Sequence, residues 1–185
     1  MSTRIVAVIA DKWQRLLGMT DVSPANAANP PMTVESMEAV LKFVPKIRAL
    51  GPYAYVYSSR FAYVGDVASV IALAMDMDFS TLCGLSKYVN LDCETNRHYP
   101  GHEKDTVQTW QHDGVQAFME IHSKHKSGEV ILVVSHLAII GGVIAYCYNV
   151  HDPAGITNII DAKKTAGRGF RVFEVSKNRT IRVLG

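Results

Sequence analysis

Apolar residues along this chain fall into blocks of two kinds. Short runs of β-branched and aromatic residues fit strands covered on both faces: Arg4 to Ile9, Tyr53 to Tyr57 and Val130 to Val134. Between them lie longer segments whose apolar residues recur every three or four positions, the period of a helix with one buried face. Val34, Met37, Val40, Leu41, Val44, Ile47 and Leu50 form one such core-facing stripe. Thr33 is placed to cap it, Pro45 to kink it and Gly51-Pro52 to stop it. Phe61, Val64, Val67, Ala68, Ile71 and Met75 mark a second helix. Val107, Trp110, Val115, Phe118 and Ile121 mark a third, opened by Asp105 and stopped at Gly128. Leu137 to Tyr148 is apolar without alternation, which suits a packed helix. Asp78 to Leu82 reads as a short strand, and Phe170 to Val175 and Thr180 to Leu184 as a hairpin about Lys177-Asn178-Arg179. Alternating strands and helices predict one domain over residues 1–185, a three-layer α/β/α arrangement. Its sheet is mostly parallel with an antiparallel edge.

The polar exceptions to this pattern locate the chemistry. Ser135 and His136 stand between a buried strand and an apolar helix. At such a strand-to-helix switch, free helix N–H groups favour an anion. From Gly84 to Glu103 no period holds, and polar residues, His and Pro crowd together, as in functional loops. Residues 18–32 form a second loop rich in breakers.

Composition narrows the partners. With 48% apolar and 19% charged residues, disorder is excluded. The net charge of +2 divides into +5 over residues 161–185 and −3 before them. A solvated basic hairpin accounts for that, and without interleaved aromatics no nucleic-acid partner is expected. Val130 to Tyr148 carries no formal charge, but Ser135-His136 and Gly141-Gly142 argue for a soluble core over a membrane span. Cys83, Cys93 and Cys147 form no CxxC pair or even framework and read as reduced cytoplasmic thiols. Ile5 to Ala10 is too short for a secretory apolar core.

Four stretches, in this order, carry a resemblance: Pro31-Met32-Thr33 before an amphipathic helix, Tyr57-Ser58-Ser59 at a strand end, Asn96-Arg97-His98-Tyr99, and Val134-Ser135-His136 before a Gly-containing apolar helix. They resemble the P-L-T, Y-S-S, E-R-H-Y-G and V-S-H-G-G segments of the histidine phosphatase, or phosphoglycerate mutase-like, superfamily. That resemblance implies the three-layer fold and a phosphoryl-transfer site. In the family the first strand ends in Arg-His-Gly, and that histidine attacks phosphorus. Here Ile9 and Ala10 stand at the arginine and histidine, and no histidine precedes His98. The family's second arginine falls on Tyr63, with Arg60 three positions earlier. Its proton-donating glutamate falls on Asn96 or, by another alignment, on Glu94. His136 is carried over directly, although Leu137 replaces the usual glycine.

The expectation is a protein of this fold without its phosphoryl acceptor. It would bind a small anionic or phosphorylated ligand, a protein partner or a further copy of itself. Arg97, Arg60, Tyr99, Ser58 and the N–H groups after His136 are the candidate anion contacts. The alternative is an active phosphatase or mutase using His136 with Glu94 or Asn96 in altered roles. A third is an interaction protein whose pocket is filled by its own side chains. No cofactor is implied. Cys93, His98, His102 and Glu103 lie close in sequence, but Pro100-Gly101 breaks any helix between them, so no metal is expected. His122 and His125 suit the C-terminal turn of the third helix. Cys-x₅-Arg, Walker A and G-x-S-x-G motifs are absent.

Overall fold

The computed structural model describes residues 2–14, 32–60, 62–85, 107–161, 169–178 and 180–184. Strands β1 (Ser2–Ile9), β2 (Tyr55–Ser58), β3 (Phe79–Thr81), β4 (Val130–Ser135), β5 (Phe170–Ser176) and β6 (Ile181–Val183) form one sheet, in the order β3-β2-β4-β1-β5-β6. The pairs β1–β4, β2–β4 and β2–β3 are parallel, and β5 runs antiparallel to both β1 and β6. Helices are α1 (Asp11–Gln14), α2 (Val34–Arg48), α3 (Ala62–Ala74), α4 (Val107–Lys124), α5 (Leu137–Cys147) and α6 (Pro153–Asp161). A 3-10 turn covers Cys83–Leu85.

The alternation of β1 and β4 divides the core as a pleated strand must. Val6, Val8, Leu132 and Val134 face α2 and α3, where they meet Val40, Val44, Ile47, Val64, Val67 and Ile71. Ile5, Ala7, Ile9, Ile131 and Val133 face α4 and α5, where they meet Phe118, Ile121, Ile140, Val143 and Ile144. The predicted three-layer arrangement with its antiparallel edge is present. Val130 to Tyr148 resolves into a strand and an 11-residue helix. No described helix is long and apolar enough to cross a membrane.

Three expectations need correction or addition. The stripe assigned to α2 is too wide. Its buried residues are Ser36, Val40, Phe43, Val44 and Ile47, whereas Val34, Met37 and Leu41 are 67%, 42% and 47% exposed. Spacings of three and four exist on two sides of this helix, and only one side meets the sheet. Cys83 is disulfide-bonded, so not all three cysteines are reduced thiols, and no cysteine spacing announces it. Helix α6 was not expected; it packs Ile156 and Ile160 against Ala145 of α5.

Helices α4 and α5 pack unusually closely. A Cβ on Gly142 would lie 2.8 Å from the Gln111 backbone, and one on Gly114 would lie 2.8 Å from Val143. Gly142, midway along α5, and Gly114 of α4 therefore let the helix that follows His136 lie against α4.

Candidate functional site

The C-terminal ends of β1, β2 and β4 deliver three chain segments to one place. Beyond β1, the Ala10 N–H donates to the Ser135 carbonyl at 2.9 Å, and Ser59 N–H, beyond β2, donates to Val134 at 3.1 Å. His136 follows as the N-cap residue of α5, in extended conformation, and its side chain makes no capping bond. The imidazole is 2% exposed. Its Nδ1 lies 2.7 Å from the Tyr63 hydroxyl and its Nε2 lies 3.4 Å from Ser59 Oγ. Tyr63 meets the ring edge-on, with centroids 5.4 Å apart.

Asp11 completes the cluster. One carboxylate oxygen accepts from the Leu137 N–H, the first amide of α5, at 2.5 Å. The other lies 3.4 Å from the Tyr63 hydroxyl. A carboxylate here satisfies an amide that the helix leaves open and lies at the positive end of its dipole. Asp11 is held there by α1: Trp13 is buried edge-on against Phe43 of α2, 5.0 Å between centroids, and its carbonyl accepts from Ser36 Oγ at 3.1 Å.

One proton arrangement satisfies the whole set. Nδ1–H of a neutral His136 donates to Tyr63, Tyr63 donates to Asp11, and Ser59 Oγ donates to Nε2. In that arrangement each imidazole nitrogen has a partner inside the protein.

The remaining predicted residues are dispersed or lie outside the described residues. Ser58 is buried on β2 and its hydroxyl donates to the Ser59 carbonyl at 2.9 Å. Arg60 follows at the β2–α3 junction, half-buried. Ser135 turns away, donating to the Leu85 carbonyl at 2.6 Å. Glu94, Asn96, Arg97 and Tyr99 lie outside the described residues, as do Cys93, His98, His102 and Glu103. Among the described residues, no three His, Cys, Asp or Glu side chains gather as metal ligands. Burial pushes the Cys147 thiol up to about 11, which leaves it protonated and poorly nucleophilic.

Sequence reasoning passed over Asp11. The one available signal was its place: the first polar residue after a wholly apolar strand, where a parallel sheet collects ligands. Tyr63 was visible only as a residue at the family's arginine position.

By sequence, no family profile and no curated protein matches the chain. By structure, many proteins do. YhfR of Bacillus stearothermophilus aligns with a TM-score of 0.70 at 13% identity, over 98% of this chain and 95% of that one. A histidine-to-alanine mutant of Entamoeba histolytica phosphoserine phosphatase, in complex with phosphoserine, aligns with a TM-score of 0.65 at 15% identity, over 100% and 95%. The protein histidine phosphatase SixA, complexed with tungstate, gives 0.54 at 10% identity, over 100% and 95%. The chain thus has the histidine phosphatase, phosphoglycerate mutase-like fold over its length.

Proposed function

We propose that this protein is a catalytically impaired member of that fold which binds an anionic or phosphorylated group in competition with its own Asp11. The observation that carries the reading is the Asp11 carboxylate bound to the first amide of α5, beside His136. An anion seated at that helix start would need the same donor. Ala10, at the end of β1, presents a methyl group, which cannot accept a phosphoryl group. His136, its two nitrogens engaged by Tyr63 and Ser59, does not replace the missing acceptor. The phosphoserine phosphatase neighbour is a mutant with alanine in place of one histidine and is nevertheless in complex with phosphoserine. Binding on this fold does not require every histidine.

Two measurements test the reading. Hydrolysis of p-nitrophenyl phosphate should fall at least about 10⁴-fold below that of an intact enzyme of the fold, the scale on which a nucleophile is lost. Turnover abolished by His136→Ala would instead establish an altered enzyme. In the second, tungstate or phosphate should raise the melting temperature of Asp11→Ala more than that of the wild type. If neither protein responds, the site is not an anion seat, and the fold serves as a scaffold filled by its own side chains.

A further inference from the structure

Among the described residues, six large apolar side chains are exposed: Val34, Met37, Leu41, Leu73, Tyr148 and Leu184. Three of the six lie on α2 at positions i, i+3 and i+7, which places them on one side of the helix. Pro45, also exposed, extends the row by four more residues. The buried residues of α2 point elsewhere, into the sheet. Helix α3 runs alongside. The Asp66 carboxylate accepts from the Met32 N–H near one end of α2, and Arg48 donates to the Ala74 carbonyl near the other. Leu73, near that second end, is 82% exposed. Scattered exposed leucines need no explanation, but a row along one helix is the pattern of a contact surface.

The charges beside the row identify what fits it. Exposed Glu35 and Glu38 occupy the N-terminal half of α2, and exposed Lys42 and Lys46 the C-terminal half. A helix that is acidic at its start and basic at its end complements itself when reversed. We infer that α2 pairs antiparallel with α2 of a second copy of this chain about a two-fold axis near residue 40. Glu38 then meets the partner's Lys42, and the partner's Glu38 meets Lys42, as an isologous interface requires. The rows of Val34, Met37, Leu41 and Pro45 interlock between them, and the two helix dipoles oppose favourably. A helix about 22 Å long makes a contact at the small end of specific interfaces, so association in the micromolar range is expected.

Sedimentation equilibrium of the full chain across the micromolar range reads this directly. Wild type should form a dimer. Leu41→Lys should raise its dissociation constant at least about 10-fold, a hot-spot-sized loss, with the near-ultraviolet circular dichroism and melting temperature of the monomer unchanged. Glu38→Lys alone and Lys42→Glu alone should each weaken the dimer, and the double exchange Glu38→Lys/Lys42→Glu should restore it. A wild type that stays monomeric, or that takes up only a different partner, overturns the inference. So does a dimer indifferent to Leu41→Lys, or a double exchange that fails to rescue.

Discussion

Two groups of tyrosine, histidine and carboxylate occur in this molecule, and they are built in opposite order. Near the start of β4, His125 stands between Tyr57 at 3.0 Å and Glu129 at 3.1 Å. Beyond the ends of β1 and β4, Tyr63 stands between His136 and Asp11. By composition alone the first looks the more catalytic, since a carboxylate orienting a histidine toward a hydroxyl is the relay of many hydrolases. Its surroundings give it other work. His125 follows α4 and ties that helix to β2 and β4, while Tyr55 packs against both rings. The second group has the less familiar order, yet it occupies the strand ends where a parallel sheet gathers ligands and meets the first amide of a helix. On the function proposed above, place in the sheet, more than the company a histidine keeps, decides which group is offered to a ligand.

The second group rests on the close packing of α4 against α5. Gly142→Ala would push a methyl into the Gln111 backbone, which has no flexible side-chain end to yield. Overpacking of this kind should cost about 3 kcal/mol in urea unfolding and displace α5, and with it His136, while leaving the His125 group in place. A cost below about 1 kcal/mol would show that α4 and α5 separate readily. Next in size, His136→Ala removes a nearly fully buried ring together with its contacts to Tyr63 and Ser59, for about 2 to 3 kcal/mol. His125→Ala, at a partly exposed site, should cost about 1 kcal/mol. Equal losses at the two histidines would erase the distinction drawn between them.

The same contrast shows how far the sequence was legible. The apolar runs of β1 and β4 announced buried parallel strands, while which of their residues faces which helical layer is seen only in the fold. Ser135-His136 could be singled out because polar residues between an apolar strand and an apolar helix need a reason. Asp11 and Tyr63 could not. They lie 126 and 73 positions from their partners Leu137 and His136, and only the strand order brings them together. Helix α2 misled in a different way, since periodicity gives the direction of an apolar row but not whether the sheet or the solvent lies there. Helix α6 lies between Tyr148 and Phe170, where no element was expected. Asp152 in fact caps it, accepting from the Gly155 N–H at 2.8 Å, and proline suits a first helical turn.

Asp11→Ala tests the two groups from the ligand side. It leaves the Leu137 amide without its carboxylate and should cost about 1 kcal/mol, the scale of a lost helix cap. Added phosphate should recover part of that loss by occupying the vacated donor. Glu129→Ala removes a carboxylate from the other group at similar cost, and phosphate should recover nothing. Recovery in both variants would mean that the anion acts on the protein generally.

The smallest effect expected is one of pH, and it separates a third histidine from both groups. Burial, and after it the N-terminal amino group and Lys177, hold the His122 imidazole below its ordinary value of about 6.5. Its Nδ1 lies 2.9 Å from the buried Thr3 hydroxyl. Because the unfolded chain takes up the proton more readily than the folded one, this contribution is complete above pH 6.5. It is lost as pH falls from there through the lowered folded value. His122→Gln keeps a hydrogen-bonding group near Thr3 but cannot titrate, so the difference between its unfolding curve and that of the wild type isolates the term. That difference should change as pH falls below about 7. If it stays constant, His122 titrates alike in the folded and unfolded chain.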